Sequence, residues 1–480
     1  MTEPKVGTPD PLRWKALALL CLAFFMVILD AQIVILGLPS IEEELGFSAG
    51  GAQWVMSAYL LSFGGLLLLG GRSADLLGRR RMFMIGTTLF LIASLLCGLA
   101  WSGGVLVGAR VVQGVSAAIM APTALSILMT TFDEGPERNK ALGIWSAIGG
   151  MGATAALLIG GPLTDGLGWE WIFFINIPVA LGLLALSPIL LRESRGEATE
   201  RAYDLGGAVT VTAALVLLVY AVVEAPDAGW GSAQTVGLLI ASGLLFVVFA
   251  LVESRSASPL VPLRIFGSRT LVGGNLVLAA LGMVAFGMSL IVSMYAQQVL
   301  GYSALEFGLG TAVMTVMAVV GSTAGQAIVT RIGFRPVAAV GLLLTGAGCL
   351  LLTQVSADGS YMGDIFFGLL IFGPGLGAAY VAASVATLAG VVEQESGLAA
   401  ALNNAAFQIG GALGTAVVTT VAISETAGPD PLSALTEGFQ SAFAAAAVFA
   451  VLGFLCAILL LGKPQRPAPL ESRAAAAPTE

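Results

Sequence analysis

The 480-residue chain contains no histidine, which removes the commonest metal ligand and the one side chain that ordinarily changes charge near neutral pH. Any proton carried by this protein must therefore ride on a carboxylate. Its four cysteines, Cys21, Cys97, Cys349 and Cys456, stand singly inside apolar runs and match no CxxC spacing, so neither a disulfide framework nor a zinc site is expected. Lysine is confined to positions 5, 15, 140 and 463, none of them in a glycine-rich phosphate-binding loop, which excludes an ATPase module. Charge of either sign is scarce, at 10% of residues against 57% hydrophobic, and the mean hydropathy of +0.94 is far above what keeps a domain dispersed in water. Lipid must be its solvent. A net charge of −8 with no long basic run argues against a nucleic-acid partner.

What is present is a succession of apolar stretches, each long enough for the roughly 20 residues that a bilayer crossing takes. The first six run from Trp14 to Leu38, Gln53 to Gly71, Met82 to Trp101, Val105 to Thr130, Ala141 to Gly161 and Trp171 to Leu191. Two more, Leu205 to Glu224 and Thr235 to Val252, precede a second six: Leu271 to Tyr295, Leu305 to Ala327, Val337 to Val355, Met362 to Leu388, Gly397 to Ile423 and Leu435 to Leu461. The first is too long for a signal-peptide core and lacks a small-residue cleavage site, so it is expected to stay attached. With the N-terminus inside, 20 of the 21 basic residues fall in cytoplasmic connections and none in the opposite ones, as retention of positive charge on the inner side demands. Only Arg110 is left over, inside the fourth stretch.

The second cytoplasmic turn reads Gly71, Arg72, Ser73, Ala74, Asp75, Leu76, Leu77, Gly78, Arg79, Arg80, Arg81. A basic turn that merely sets topology would explain the arginines but neither the Asp nor the glycine spacing. Thr330, Arg331, Ile332, Gly333, Phe334, Arg335 repeats the spacing 255 residues later, as an internally duplicated transporter would. This turn resembles the signature loop of the major facilitator superfamily. Leu106, Arg110, Gln113, Gly114 and Ser116 are similar to a second motif of that superfamily, found in its proton-driven exporters. The segment from Leu29, Asp30, Ala31, Gln32 to Leu38, Pro39 resembles the first helix of the fourteen-helix drug:proton antiporter branch, and Trp169 to Pro178 resembles the same branch, with Glu170 where an arginine is usual. In the fifth stretch, Gly152, Gly160, Gly161 and Pro162 match the glycine-rich exporter motif in part; Ala156 and Leu157 occupy its Gly-Pro positions.

The resemblance implies an all-α integral membrane protein of the cell (plasma) membrane. It would have two six-helix bundles, residues 14–191 and 271–461, two additional transmembrane helices between them within 192–270, and cytoplasmic tails at 1–13 and 462–480. It further implies a proton-coupled exporter of amphipathic drugs or antibiotics that works by alternating access, driven by the proton gradient with no cofactor and no ATP, and acting as a monomer. An importer of a small metabolite on the same fold is the alternative. A membrane enzyme or sensor is more remote, since neither HExxH nor a nucleophile elbow is present.

The residues point to where such coupling would reside. A charge in hydrocarbon costs at least ~2.5 kcal/mol, so Arg110 should face an acid or a cavity. At ~1.5 Å per residue, Asp30 lies ~12 Å below the outer end of its helix and Arg110 ~9 Å below the outer end of its own. Their depths agree, but depth does not fix the rotation of either helix, and a permanent structural pair would show the same agreement. In the signature loop, Gly71, Asp75, Gly78, Arg79 and Arg80 are the candidate conformational switch. Gln32, Tyr59, Trp145, Asn403 and Gln408 are candidates for a substrate cavity, although packing and interhelical hydrogen bonding account for such residues equally well.

Overall fold

A computed structural model describes residues 11–48, 51–132, 136–194, 205–256, 259, 261, 263–389, 391, 396–424 and 431–462. The expected tails lie outside these apart from residues 11–13 and 462, and of Asp75 only the backbone is described.

The described residues fold as helices: α1 (Arg13–Leu45), α2 (Trp54–Leu77), α3 (Arg79–Gly98), α4 (Gly103–Thr131), α5 (Pro136–Leu167), α6 (Trp171–Phe174), α7 (Asn176–Leu190), α8 (Leu205–Ala228), α9 (Ala233–Arg255), α10 (Arg269–Met294), α11 (Ala304–Ile332), α12 (Phe334–Leu352), α13 (Phe366–Leu388), α14 (Ser396–Ser424) and α15 (Pro431–Leu460). Helices dominate because a backbone in lipid must satisfy its own hydrogen bonds. By length and composition 13 spans among the described residues are able to cross a membrane, with α6 and α7 forming one of them. The 32-residue α5, packed between α1 and α11, supplies the fourteenth. Without that crossing Arg192 would emerge on the opposite side from Arg138 and break the charge rule.

One boundary departs from the apolar pattern. The first span was expected to end at Leu38, ahead of Pro39, yet α1 continues through the proline to Leu45 and closes on Gly46, whose φ of 64° is left-handed. Proline removes one N–H, a local defect that neighbouring helices let a membrane helix tolerate.

Packing repeats between the halves. Within the first, α2 and α3 pack on α4 and α1 packs on α5; within the second, α11 and α12 pack on α13 and α10 packs on α14. Between the halves, α2 lies along α14 and α5 along α11, which is the same pairing exchanged by a twofold operation. The turns that join α2 to α3 and α11 to α12 carry the mark of this duplication: Gly78 has φ 107° and Gly333 has φ 89°, conformations open to glycine.

The helix α8 packs against both α2 and α14 and so spans one seam, where Trp54 and Tyr220 face each other at 6.3 Å and Thr420 donates to the Val222 carbonyl at 3.2 Å.

Polar contacts across the halves lie toward the outer end. Ser293 of α10 donates to the Ile35 carbonyl of α1 at 3.0 Å, and the Ser57 and Thr415 hydroxyls meet at 3.2 Å. Asp165 at the end of α5 accepts from the first two amides of α11, Ala304 at 3.2 Å and Leu305 at 2.9 Å. Gly161, one turn back on α5, lies so near the Leu305 backbone that a Cβ has no room.

Candidate functional site

Asp30 and Arg110 are both fully buried, and they face each other: Nη1 of Arg110 donates to Oδ2 of Asp30 at 2.6 Å. Arg110 reaches this position because α4 and α2 approach closely at Gly114, where a Cβ would strike the Tyr59 carbonyl and the Ser62 hydroxyl. That approach lays the guanidinium over the Tyr59 ring, 4.2 Å from its centroid, and 5.8 Å from that of Phe173. Nε of Arg110 donates to the Val55 carbonyl at 2.9 Å, so the group is held by three helices at once.

Gln113, one turn along α4, completes the pair. Its Oε1 accepts from Arg110 Nη1 at 2.8 Å while its Nε2 donates to Asp30 Oδ1 at 3.0 Å and to Ser94 Oγ at 2.8 Å. Asn176, the first residue of α7, donates to the same Asp30 oxygen at 2.8 Å and to the same Ser94 hydroxyl at 3.4 Å. Burial of two opposite charges is tolerable only when their remaining valences are filled, and here α1, α2, α3, α4 and α7 all contribute. One valence is open: among the described residues, nothing hydrogen-bonds to the buried Nη2 of Arg110. Such a cluster can hold a proton, or hold an ion pair, inside the lipid-facing shell of the first bundle.

Of the other expected site residues, Tyr59 joins this cluster through its ring, and the rest are placed elsewhere in the structure. Tyr59 is buried in the wall of the first bundle, its hydroxyl given to the Val27 carbonyl at 3.1 Å, and Trp145 is buried against Phe24 with ring centroids 4.3 Å apart. Gln32 is half-buried. Asn403 and Gln408 are buried on α14; Gln408 adjoins Gly64 of α2 at the seam, and among the described residues the Asn403 side-chain oxygen has no hydrogen-bond partner. Gly152 and Gly160 set α5 against Ile28 and Ile33 of α1, Gly161 faces α11, and Pro162 is exposed within α5.

At the signature loop, Gly71 makes ordinary contact with Pro122, and the chain that follows α7 docks on the start of α3. Glu193 accepts from the Arg80 and Arg81 amides, each at 3.2 Å, and the Ser194 carbonyl accepts from the Arg79 amide at 2.9 Å. The Arg80 guanidinium donates to the Leu191 carbonyl at 3.3 Å and lies 3.8 Å from Glu193.

Sequence reasoning missed four partners: Ser94, Asn176, Asp165 and Glu193. Asn176 carried a signal, as the one amide in the sixth apolar stretch; Ser94 carried none, because a serine in a membrane helix ordinarily bonds to its own backbone.

The chain matches the Major Facilitator Superfamily over residues 20–297 and 276–480. It is 40% identical over 452 residues to the puromycin resistance protein pur8 of Streptomyces alboniger, covering 92% of this chain and 89% of that one. It is 37% identical over 438 residues to the cephamycin export protein CmcT of Amycolatopsis lactamdurans, covering 90% of each. A solved bacterial homologue of the human lysosomal transporter Spinster superposes with a TM-score of 0.69 at 19% identity, over 96% of this chain and all of that one. Matched over nearly its whole length by family and by relatives, and folded as the duplicated bundles of such a carrier, this chain belongs to the Major Facilitator Superfamily.

Proposed function

We propose that this protein exports amphipathic drugs or antibiotics in exchange for protons, with Asp30 as the proton-carrying group and Arg110 as its counter-charge. Relatives named for puromycin resistance and cephamycin export support the substrate class. The observation that carries the coupling is the buried pair itself, a carboxylate and a guanidinium 2.6 Å apart in a chain that has no histidine. Protonation of Asp30 neutralises the acid and releases Arg110, whose charge must then find new partners, and those two arrangements would favour different tilts of the bundles. No cofactor and no nucleotide take part in this scheme, and a single chain contains all of it. The signature loop and the fifth-helix glycines would serve the tilting as hinge and contact surface.

The test is export by proteoliposomes under an imposed pH gradient, with puromycin as first substrate and a panel of antibiotics behind it, run in parallel with cell susceptibility. Asp30→Asn should abolish gradient-driven export and resistance while expression stays normal. Full pH-driven export by Asp30→Asn would end this reading, and so would a wild type that accelerates no member of the panel.

A further inference from the structure

The two amides beside Asp30 do more than fill space. A carboxylate oxygen offers two in-plane lone pairs, and both of those on Oδ1 are occupied, one by Gln113 and one by Asn176. Among the described residues Oδ2 accepts from Arg110 alone. The second hydrogen of each amide goes to the Ser94 hydroxyl, so the Asp30 oxygen and the Ser94 oxygen are bridged twice, by side chains from α4 and α7. Turned the other way, either amide would set its own oxygen against the carboxylate, so this ring has one stable orientation. Asn176 is 1% exposed and opens α7 immediately after the break at Ile175, which fixes its side chain against α1 and α3.

We infer that Asn176 is a positioning residue for proton exchange at Asp30: with Gln113 it closes Oδ1, so that an incoming proton must take Oδ2, the oxygen that holds Arg110. The proton, given up by a hydronium ion whose O–H bond breaks, forms an O–H bond on the remaining lone pair of Oδ2; that oxygen becomes a neutral hydroxyl, a far poorer acceptor than a carboxylate or carbonyl oxygen, and its hold on Arg110 is lost. Protonation and guanidinium release thereby become one event. If Oδ1 were open, Asp30 could be protonated with Arg110 still in place, and the charge step would lose its hold on the helices. The inference rests on Asp30 being the proton carrier.

The groups around Asp30 that titrate or carry charge are Arg110 from α4, the Tyr59 phenol from α2 and the Cys97 thiol from α3. Among the described residues α5, α10 and α11 carry their charges only at their ends, and α6 and α7 have none. Asn176 thus acts on a small and countable set.

The experiment titrates purified protein by infrared difference spectroscopy, following the carboxyl C=O stretch of Asp30, with Asp30→Asn as the blank, and the guanidinium bands of Arg110. In the wild type the two signals should change together with one midpoint. In Asn176→Leu, loss of one donor to the charged carboxylate should tighten proton binding about tenfold, moving the midpoint up by about one pH unit. Its guanidinium bands should no longer follow the carboxyl band. Ser94→Ala, which removes only the hydroxyl that aims both amides, should shift the midpoint in the same direction by less and keeps the test open if Asn176→Leu does not fold. A wild-type midpoint and locked signals in both variants would overturn the inference, and so would a wild type whose guanidinium bands ignore the protonation of Asp30. Transport assayed alongside separates this from the function proposed above: a wild type in which Asp30 titrates but pH-driven export survives Asp30→Asn refutes that function and leaves the assignment of Asn176 to the infrared result.

Discussion

Asp165→Ala should loosen the outer seal between the two halves without touching the Asp30–Arg110 pair. The amides of Ala304 and Leu305 open α11 and have no carbonyl of their own helix to bond to. The Ser303 hydroxyl accepts from the next amide along, that of Glu306, at 3.2 Å, and its carbonyl from that of Phe307, so the work of capping the first two falls to a carboxylate from the other half of the molecule. Asp165 is solvent-exposed, which discounts the charge part of the interaction and leaves a contribution of the size of an N-cap, about 1 kcal/mol. Losing it should shift the ratio of outer-closed to outer-open forms about fivefold towards open. A cysteine placed at Ser57, buried 3.2 Å from Thr415 across the seam, reports that ratio through its labelling by an impermeant maleimide added from outside. Comparing Ser57→Cys with and without Asp165→Ala cancels the hydrogen bond that the probe itself removes, and Cys21, Cys97 and Cys349 are buried in the wild type. Labelling should be about fivefold faster in the Asp165→Ala background, with Asp165→Asn in between. Equal rates in correctly folded, transport-competent variants would refute the idea that this contact holds the outer side shut.

Two further outcomes follow from the ion pairs. Arg110→Ala should lower stability by about 3–5 kcal/mol, because it strands the Asp30 carboxylate in the bundle, and combining Asp30→Asn with Arg110→Gln should be less destabilising than the sum of the single changes. Additive losses in detergent unfolding would show that the two charges do not stabilise each other. At the cytoplasmic end, hydrogen bonds from Arg13 at 2.9 and 3.0 Å, with the attraction of Arg13 and Lys140, hold the Glu137 carboxyl below its ordinary value of 4.5. A depressed folded value means that the tie is complete above 4.5 and is lost as pH falls through the lower, folded value, so Glu137→Gln should show a shallower acid-side fall in unfolding temperature than wild type. Identical falls would remove Glu137 from the account.

The number, order and direction of the helices were legible because a bilayer imposes a minimum apolar length and the positive-inside rule assigns a side. Where the pattern misled, a local signal was overridden: Pro39 reads as a stop, yet α1 runs on to Leu45 because neighbouring helices support it. The site divides in the same way. Depth could be read for Asp30 and Arg110 because rise per residue is constant. Rotation could not, since it is set by close approaches such as Gly114 on Tyr59, which join residues far apart in the chain. Ser94 and Asn176 were invisible as partners for a further reason, that a single polar atom in an apolar run leaves no periodic trace.

The placement of charge also bears on how a change at Asp30 would reach the seal. Among the described residues the fully buried charged side chains are Asp30, Arg110 and Glu253 of α9, so the interior of the second bundle has none. That bundle is packed backbone to backbone, as the first is at Gly70 and Gly114, with Gly282 and Gly410 seating α10 on α14, and Gly321 and Gly377 seating α11 on α13, at distances that admit no Cβ. The Asp30–Arg110 pair belongs to the first bundle alone. The second bundle must then sense it through a contact that the first carries. That contact lies on α1 itself: five residues beyond Asp30, the Ile35 carbonyl accepts from Ser293, and Leu36 is buried in the apolar cluster of the second bundle. About one and a half helical turns, about 8 Å, separate Asp30 from the Ile35–Ser293 contact, so a displacement of α1 at Asp30 has one short, continuous helical path to the second bundle.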